Sequence, residues 1–198
     1  MCGRFARKST QEVLAEWLGL ELEEMPWFAP TYNAAPQSIQ PVIRLNRDSG
    51  RREAALLRWG LVPADAFYEW KRQNANTKQP FAIALKSGEP YAFAGLWESW
   101  RPKDGEPLET FTILTTDPNE VMEPIHNRMP VILEPRDYDR WLDPGDPARP
   151  PMDLLCPYPA ELMKAWPVSD RVGNVRNNEP SLLDPAVAGQ LQNRLPLD

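Results

Sequence analysis

Proline recurs too often along this chain for it to fold as a helical protein. It fills 23 of the 198 positions, more than twice the usual ~5%. Each interior proline removes a backbone donor and clashes with the preceding helical turn. What remains open is a chain of short extended segments with a few short helices. At this length one domain is expected, spanning residues 1–198, with roughly 70% of the extended-chain surface buried. Apolar residues make up 42% and charged residues 25%, so disorder is not expected.

Ser9-Thr10-Gln11-Glu12 has the form of a capping box, with Ser9 or Thr10 as N-cap. Val13, Leu14, Trp17 and Leu18 continue it as a helical stripe, and Gly19 ends it. Strands are predicted at Ile39–Leu45, Glu53–Trp59, Phe81–Leu85, Tyr91–Leu96, Phe111–Thr115 and Met129–Leu133. Each is short, rich in β-branched or aromatic residues, and bounded by Pro, Gly, Asp or Asn. Short helices are predicted at 135–142, 159–164 and 181–192, and a surface loop at 143–151. The fold class is α+β: one domain with a mainly antiparallel, barrel-like β core.

No apolar run reaches the ~18–20 residues a membrane span needs, and the first ten residues lack a secretory h-region. A cytoplasmic protein without membrane partners is therefore expected. Two cysteines, Cys2 and Cys156, build no disulfide framework. With one histidine and two distant cysteines, no metal site is expected, and no cofactor motif is present. Net charge is −6, which argues against sequence-blind nucleic-acid binding. The charge is uneven, however. Residues 1–80 carry 11 Lys/Arg against 9 Asp/Glu, and residues 81–198 carry 11 against 19.

Cys2 is the first residue with chemistry of its own. Methionine removal ahead of a small second residue leaves an N-terminal cysteine. Its α-amine titrates near ~7.7–8.0 and its thiol near ~8.5. Amine and thiol on one skeleton attack an aldehyde in turn, giving an imine and then a five-membered thiazolidine, the second step intramolecular. The alternative is a terminal cysteine with no chemical role. In Phe67-Tyr68-Glu69-Trp70-Lys71, strand alternation turns Glu69 with Phe67 and Lys71, away from Tyr68 and Trp70. Packed among aromatics, its carboxyl would be raised by desolvation and suited to general acid work; a solvated strand glutamate is the alternative. His126, the lone histidine, precedes a strand and is a proton-transfer candidate or an ordinary loop histidine. Arg4, Arg128, Arg176, Asn33, Asn174 and Asn177 are polar residues within apolar or turn motifs. Trp59, Trp70 and Trp97 are stacking or core residues.

In this order, seven motifs resemble the SOS-response-associated peptidase (SRAP) family: Met1-Cys2-Gly3-Arg4-Phe5; Tyr32-Asn33-x-Ala35-Pro36; Trp59-Gly60-Leu61-Val62-Pro63; Pro63-Ala64-Asp65-x-Phe67-Tyr68-Glu69-Trp70; Phe111-x-Ile113-Leu114-Thr115; His126-x-Arg128-Met129-Pro130-Val131; and Val172-Gly173-Asn174-Val175-Arg176-Asn177. The resemblance covers nearly the whole chain. It implies a sensor of abasic sites in single-stranded DNA that crosslinks to the ring-opened sugar through the N-terminal cysteine. It also implies an associated self-peptidase or lyase activity, nucleoid association when DNA-bound, and a monomer. By position, it makes Cys2 the nucleophile, Glu69 the acid/base carboxylate and His126 its proton-transfer partner. It places Arg4, Asn33, Trp70 and Arg128 along the DNA groove. Against the family pattern, Leu61-Val62-Pro63 runs straight into Ala64-Asp65-Ala66. Two similar Leu-Val-Pro stretches look merged at about 63/64, without the Asn-Ala-Arg-x-Glu segment between them. The missing segment would supply an active-site asparagine, a phosphate-binding arginine and wedging aromatics. Alternatives to DNA crosslinking are a cysteine-nucleophile hydrolase on a small or peptide substrate, and a degenerate member that has lost activity.

Overall fold

The computed structural model describes residues 3–35, 38–46, 49–57, 62–100, 108–143 and 149–186. Among them are fourteen strands and only two α-helices, as the proline spacing requires. Every strand pairing is antiparallel.

The largest sheet has five strands. β1 (Phe5–Arg7), β2 (Thr31–Ala34), β6 (Ala66–Arg72), β7 (Lys78–Leu85) and β14 (Met163–Pro167) lie in the order β14-β7-β6-β1-β2. Period-2 alternation gives this sheet two distinct faces. Phe5, Phe67 and Ile83 share one core cluster with Tyr91, Phe93, Met122, Met129 and Ile132. There the Phe93 ring meets Phe5, Phe67 and Tyr91 edge-on, with centroids 6.0, 6.0 and 5.4 Å away. Ala6, Ala66, Tyr68, Ala82 and Ala84 turn to the other face. The four alanines among them let Val168, Val172 and Leu182 pack down on it. Phe67 and Tyr68 are both fully buried, each contributing about 1.5–3 kcal/mol of transfer free energy.

Smaller ladders surround this sheet. β3 (Gln40–Leu45) pairs with β4 (Arg52–Leu57). β5 (Pro63–Ala64) and β13 (Ile132–Leu133) flank β8 (Tyr91–Phe93). β9 (Gly95–Trp100) pairs with β10 (Leu108–Ile113), and β11 (Thr115–Thr116) with β12 (Met129–Pro130). Three predicted strands are thus each split in two, at Ala94, Leu114 and Val131. At these positions the Ala94 N–H donates to the Val131 carbonyl (2.8 Å), the Leu114 N–H to the Ala94 carbonyl (2.9 Å) and the Val131 N–H to the Leu114 carbonyl (2.9 Å). A closed ring of three backbone bonds forms a corner where each chain changes partner. The mainly antiparallel core expected from the sequence turns at this corner.

α1 (Gln11–Leu18) starts and stops where predicted, with Gly19 left-handed (φ 66°) and its N–H on the Ala15 and Glu16 carbonyls. Its cap differs from the expected box. Thr10 is N-cap without a side-chain cap bond, while Ser9 turns away to a buried carboxylate. The Ser9 hydroxyl donates to Asp65 at 2.7 Å and its N–H at 3.0 Å. Leu14, Ala15 and Leu18 are buried, whereas Val13 stays exposed. Two other expectations change. Residues 159–164 make one short 3₁₀ turn at Ala160–Leu162, then β14, because pairing with β7 outweighs a marginal helix. Residues 180–183 form a 3₁₀ turn, and 187–192 lie outside the described residues, as do 58–59 and 144–148. Residues 135–142 do form helix: a 3₁₀ turn leading into α2 (Tyr138–Leu142). No described helix is long and apolar enough to cross a membrane.

Candidate active site

Glu69 sits on β6 between Phe67 and Lys71, opposite Phe81 on β7. It is 6% exposed. Burial pushes its carboxyl above the usual carboxylate range, and His126 and Lys78 oppose this only in part. His126 Nε2 stands 4.0 Å from Glu69 Oε2.

The His126 loop is rooted locally. Asn119 Oδ1 accepts the N–H groups of Val121 and Met122, and the His126 N–H donates to the Met122 carbonyl at 2.8 Å. Met122 is fully buried, so it anchors the turn. His126 Nδ1 lies 3.1 Å from both the N and the O of Arg128. In the neutral Nε2–H form, Nδ1 accepts from the Arg128 N–H. On protonation it donates to the Arg128 carbonyl. One residue's backbone therefore serves the ring in either state, while Nε2 faces Glu69. The Arg128 guanidinium donates to the Thr115 carbonyl (2.5 Å) and hydroxyl (3.1 Å), and lies 3.5 Å from Asp117.

Arg4, Asn33 and Trp70 form a second group, on the other face of the sheet. Arg4 Nε and Nη2 donate to Asn33 Oδ1 at 2.9 and 2.6 Å, and Arg4 also donates to the Val172 and Gly173 carbonyls. Asn33 Nδ2 faces the carbonyls of Val172, Asn174 and Asn177 at 3.2, 3.0 and 2.8 Å. Asn33 thus holds the 172–177 loop against β1 and β2. The Arg4 guanidinium lies 5.9 Å from the centroid of Trp70.

The seven predicted site residues therefore fall into two groups of three, with Cys2 outside the described residues. The β1–β6 register bears on where the terminus leads. Phe5 is level with Phe67, and the Tyr68 N–H donates to the Arg4 carbonyl at 2.9 Å. Followed backward, the antiparallel register brings the chain toward Glu69 as it reaches Gly3. Trp59 is also outside the described residues, and Trp97 is placed by its backbone alone, opposite Phe111 on β10.

Sequence reasoning passed over the Arg7–Asp65–Ser9 network. Arg7 is 2% exposed, and its guanidinium lies 4.2 Å from the Phe28 centroid and donates to the Ala29 carbonyl at 2.9 Å. Desolvation pushes Arg7 down to about 10, against the attraction of Asp65. The only signal was an aspartate inside a Pro-Ala-Asp turn, which reads as ordinary turn chemistry.

The family model described as SOS response associated peptidase (SRAP) matches residues 1–66 and 61–175. The two matches share residues 61–66. The abasic site processing protein YoqW of Bacillus subtilis (strain 168) is 36% identical over 225 aligned positions, which cover 93% of this chain and 99% of that protein. Because 93% of 198 residues is about 184, roughly forty aligned positions have no counterpart here. The abasic site processing protein HMCES of Xenopus tropicalis is 31% identical over 224 positions, covering 79% of this chain and 66% of that one. A crystal structure of a Bacteroides thetaiotaomicron protein superposes with a TM-score of 0.77 at 22% identity, covering 94% of this chain and all of that one; it shares the fold. The matched motifs span the chain from its first residue to the 172–177 loop, and the chain belongs to the SOS response associated peptidase family.

Proposed function

We propose that this chain recognises abasic sites in single-stranded DNA and bonds to the ring-opened aldehyde through Cys2. Glu69 carries the reading: a nearly buried carboxyl held toward its protonated form, facing the only histidine at 4.0 Å. The relatives' names, abasic site processing proteins, supply the substrate class.

With Met1 removed, the Cys2 amine adds to the aldehyde carbon to give a carbinolamine. Protonated Glu69 donates to the departing hydroxyl, which leaves as water, and an iminium remains. His126 takes the thiol proton as sulfur adds to the iminium carbon, the carbon–nitrogen π pair returns to nitrogen, and the proton on His126 passes back to the Glu69 carboxylate. A thiazolidine results, with one water released overall and no oxidant or metal needed. The Nδ1 bracket at Arg128 lets His126 gain and lose its proton without losing a hydrogen bond. In this scheme Arg4 and Asn33 act on the groove through β1 and the 172–177 loop, Trp70 offers a stacking face, and Arg128 a phosphate contact. The same Cys2 site would release any residue ahead of it, the peptidase activity of the family name. The shared match at residues 61–66 supports a shortened member with a weaker groove.

A 5′-labelled single strand with one abasic site, incubated with the protein and run on a denaturing gel, is expected to give a shifted band. Intact mass should show Met1 absent. No shifted band with Met1 absent overturns the reading. Turnover of a thioester or peptide by the same sample would then favour a cysteine hydrolase.

A further inference from the structure

In a chain of net charge −6, the stretch from Trp70 to Gly88 contains no Asp or Glu and four cations: Lys71, Arg72, Lys78 and Lys86. Three of them gather at one end of the β6–β7 hairpin, where Lys71 is level with Gln79 and Arg72 with Lys78. Arg72 and Lys78 are exposed and directly opposite, an arrangement of like charges that costs stability. No described carboxylate lies within ion-pair distance of any of the three. The turn beyond them is held firm. Asn74 Oδ1 accepts the N–H groups of Asn76 and Thr77 at 2.9 and 3.0 Å, and the Gln73 N–H donates to the Thr77 carbonyl at 3.0 Å. The three cations thus project from a rigid ribbon rather than from a loose loop.

Alternation sets Arg72 and Lys78 on the face of Trp70, and Lys71 on the face of Glu69. Arg4 lies 5.9 Å from the half-buried Trp70 ring, and Arg72 follows Trp70 by two residues on the same face. A stacking platform beside cations is the pattern that holds single strands without reading their sequence. Arg72 lies three residues along β6 from Glu69, about 10 Å at ~3.3 Å per residue. This is the length of about three stacked nucleotides at ~3.4 Å each.

We infer that the outer end of the β6–β7 hairpin is a phosphate track, gripping the backbone of the DNA strand beside the lesion through Lys71, Arg72 and Lys78. The inference rests on the abasic-site reading for its partner and extends it to the path the strand takes. The like-charged pair is then tolerated because bound phosphates neutralise it.

The test compares the full-length protein with Lys71→Gln/Arg72→Gln/Lys78→Gln, and with a control of equal charge change, Lys86→Gln/Arg136→Gln/Lys164→Gln. Binding of an unmodified single strand is measured across salt, and adduct formation on an abasic strand is measured in parallel. Each lost contact should flatten the log affinity–log salt slope by about 0.7, so about 2 for the triple variant. The control slope should match wild type. The hairpin variant should also melt no lower than wild type, because a repulsive pair is gone. An unchanged slope, or an equal loss in the control, overturns the phosphate track while leaving the crosslinking reading intact. A flattened slope without adduct in wild type upholds the track and overturns the crosslinking reading. No binding by wild type overturns both.

Discussion

Glu69 and Trp70 are adjacent in sequence and face opposite sides of the central sheet. The Glu69 carboxyl turns to His126 at 4.0 Å, and the Trp70 ring sits beside the Arg4 guanidinium at 5.9 Å. Strand alternation alone separates a carboxyl–imidazole pair from a cation–aromatic pair. The two sides should therefore respond differently to mutation.

On the Glu69 side, changes should act on rate. Glu69→Gln and His126→Ala are each expected to slow adduct formation by about 10²–10⁴-fold, with DNA affinity nearly unchanged. Cys2→Ala and Cys2→Ser should leave no stable adduct, because neither can close the sulfur ring. Single-turnover rates on an abasic strand at saturating protein measure this. Rates equal to wild type in both Glu69→Gln and His126→Ala would sink the assigned roles.

Glu69 should also weaken the fold at neutral pH. Its folded carboxyl is raised above the reference 4.5 by burial, so the folded state binds the proton more tightly than the unfolded chain. That stability is fully present below about 4.5 and is lost as pH rises through the raised value. Glu69→Gln should therefore melt above wild type at pH 8, and the gap should close as pH falls toward 4.5. A gap that widens on acidification would show the opposite shift.

Asn33→Ala should act on stability and groove together. It removes the donor facing three carbonyls and the acceptor for Arg4. Leaving such groups unpaired costs about 1–3 kcal/mol each where they stay buried. The urea midpoint should fall, and proteolysis should open first near residues 172–177. An unchanged midpoint would mean that water replaces the amide there.

Asp65→Ala should unsettle the start of α1. Ser9 loses both partners, and Arg7, already disfavoured by burial, loses its nearest attraction. Charge-assisted bonds of this kind are worth about 1.5–3 kcal/mol. Ser9→Ala on top of Asp65→Ala should cost little more, since the two side chains share one interaction. Full additivity in denaturant unfolding would show that they act independently.

The site of any grafted family segment also follows from the fold. Pro63 and Ala64 are both paired, with Ala92 and Tyr91, and the Asp65 N–H donates to the Ala6 carbonyl at 2.9 Å. An insertion between Pro63 and Ala64 cuts β5 and should lower the melting temperature. A melting temperature equal to that of the chain without the graft would show that β5 pairing is dispensable.

Much of this was legible in the sequence because period-2 patterns are local. The facing of Glu69 with Phe67, its burial and the position of His126 before a strand all follow from neighbours a few residues away. The splits at Ala94, Leu114 and Val131 did not show, because the apolar pattern continues through residues whose hydrogen bonds change partner. The work of Asn33 was equally hidden: its three carbonyl partners lie 139 to 144 residues further along the chain. Ser9 looked like a cap because the competing carboxylate, Asp65, is 56 residues away.

The three-bond ring of Ala94, Leu114 and Val131 ties chemical readiness to completed folding. Two of its bonds can form as ordinary strand contacts, but the ring closes only once all three segments have arrived. His126 enters the third of these segments five residues ahead of Val131. On the proposed chemistry, an unfinished chain carries its terminal thiol and amine with no histidine poised to take the thiol proton. A nascent or damaged copy would then meet the cell's small soluble aldehydes as a sluggish reactant, and only the finished molecule would trap one quickly.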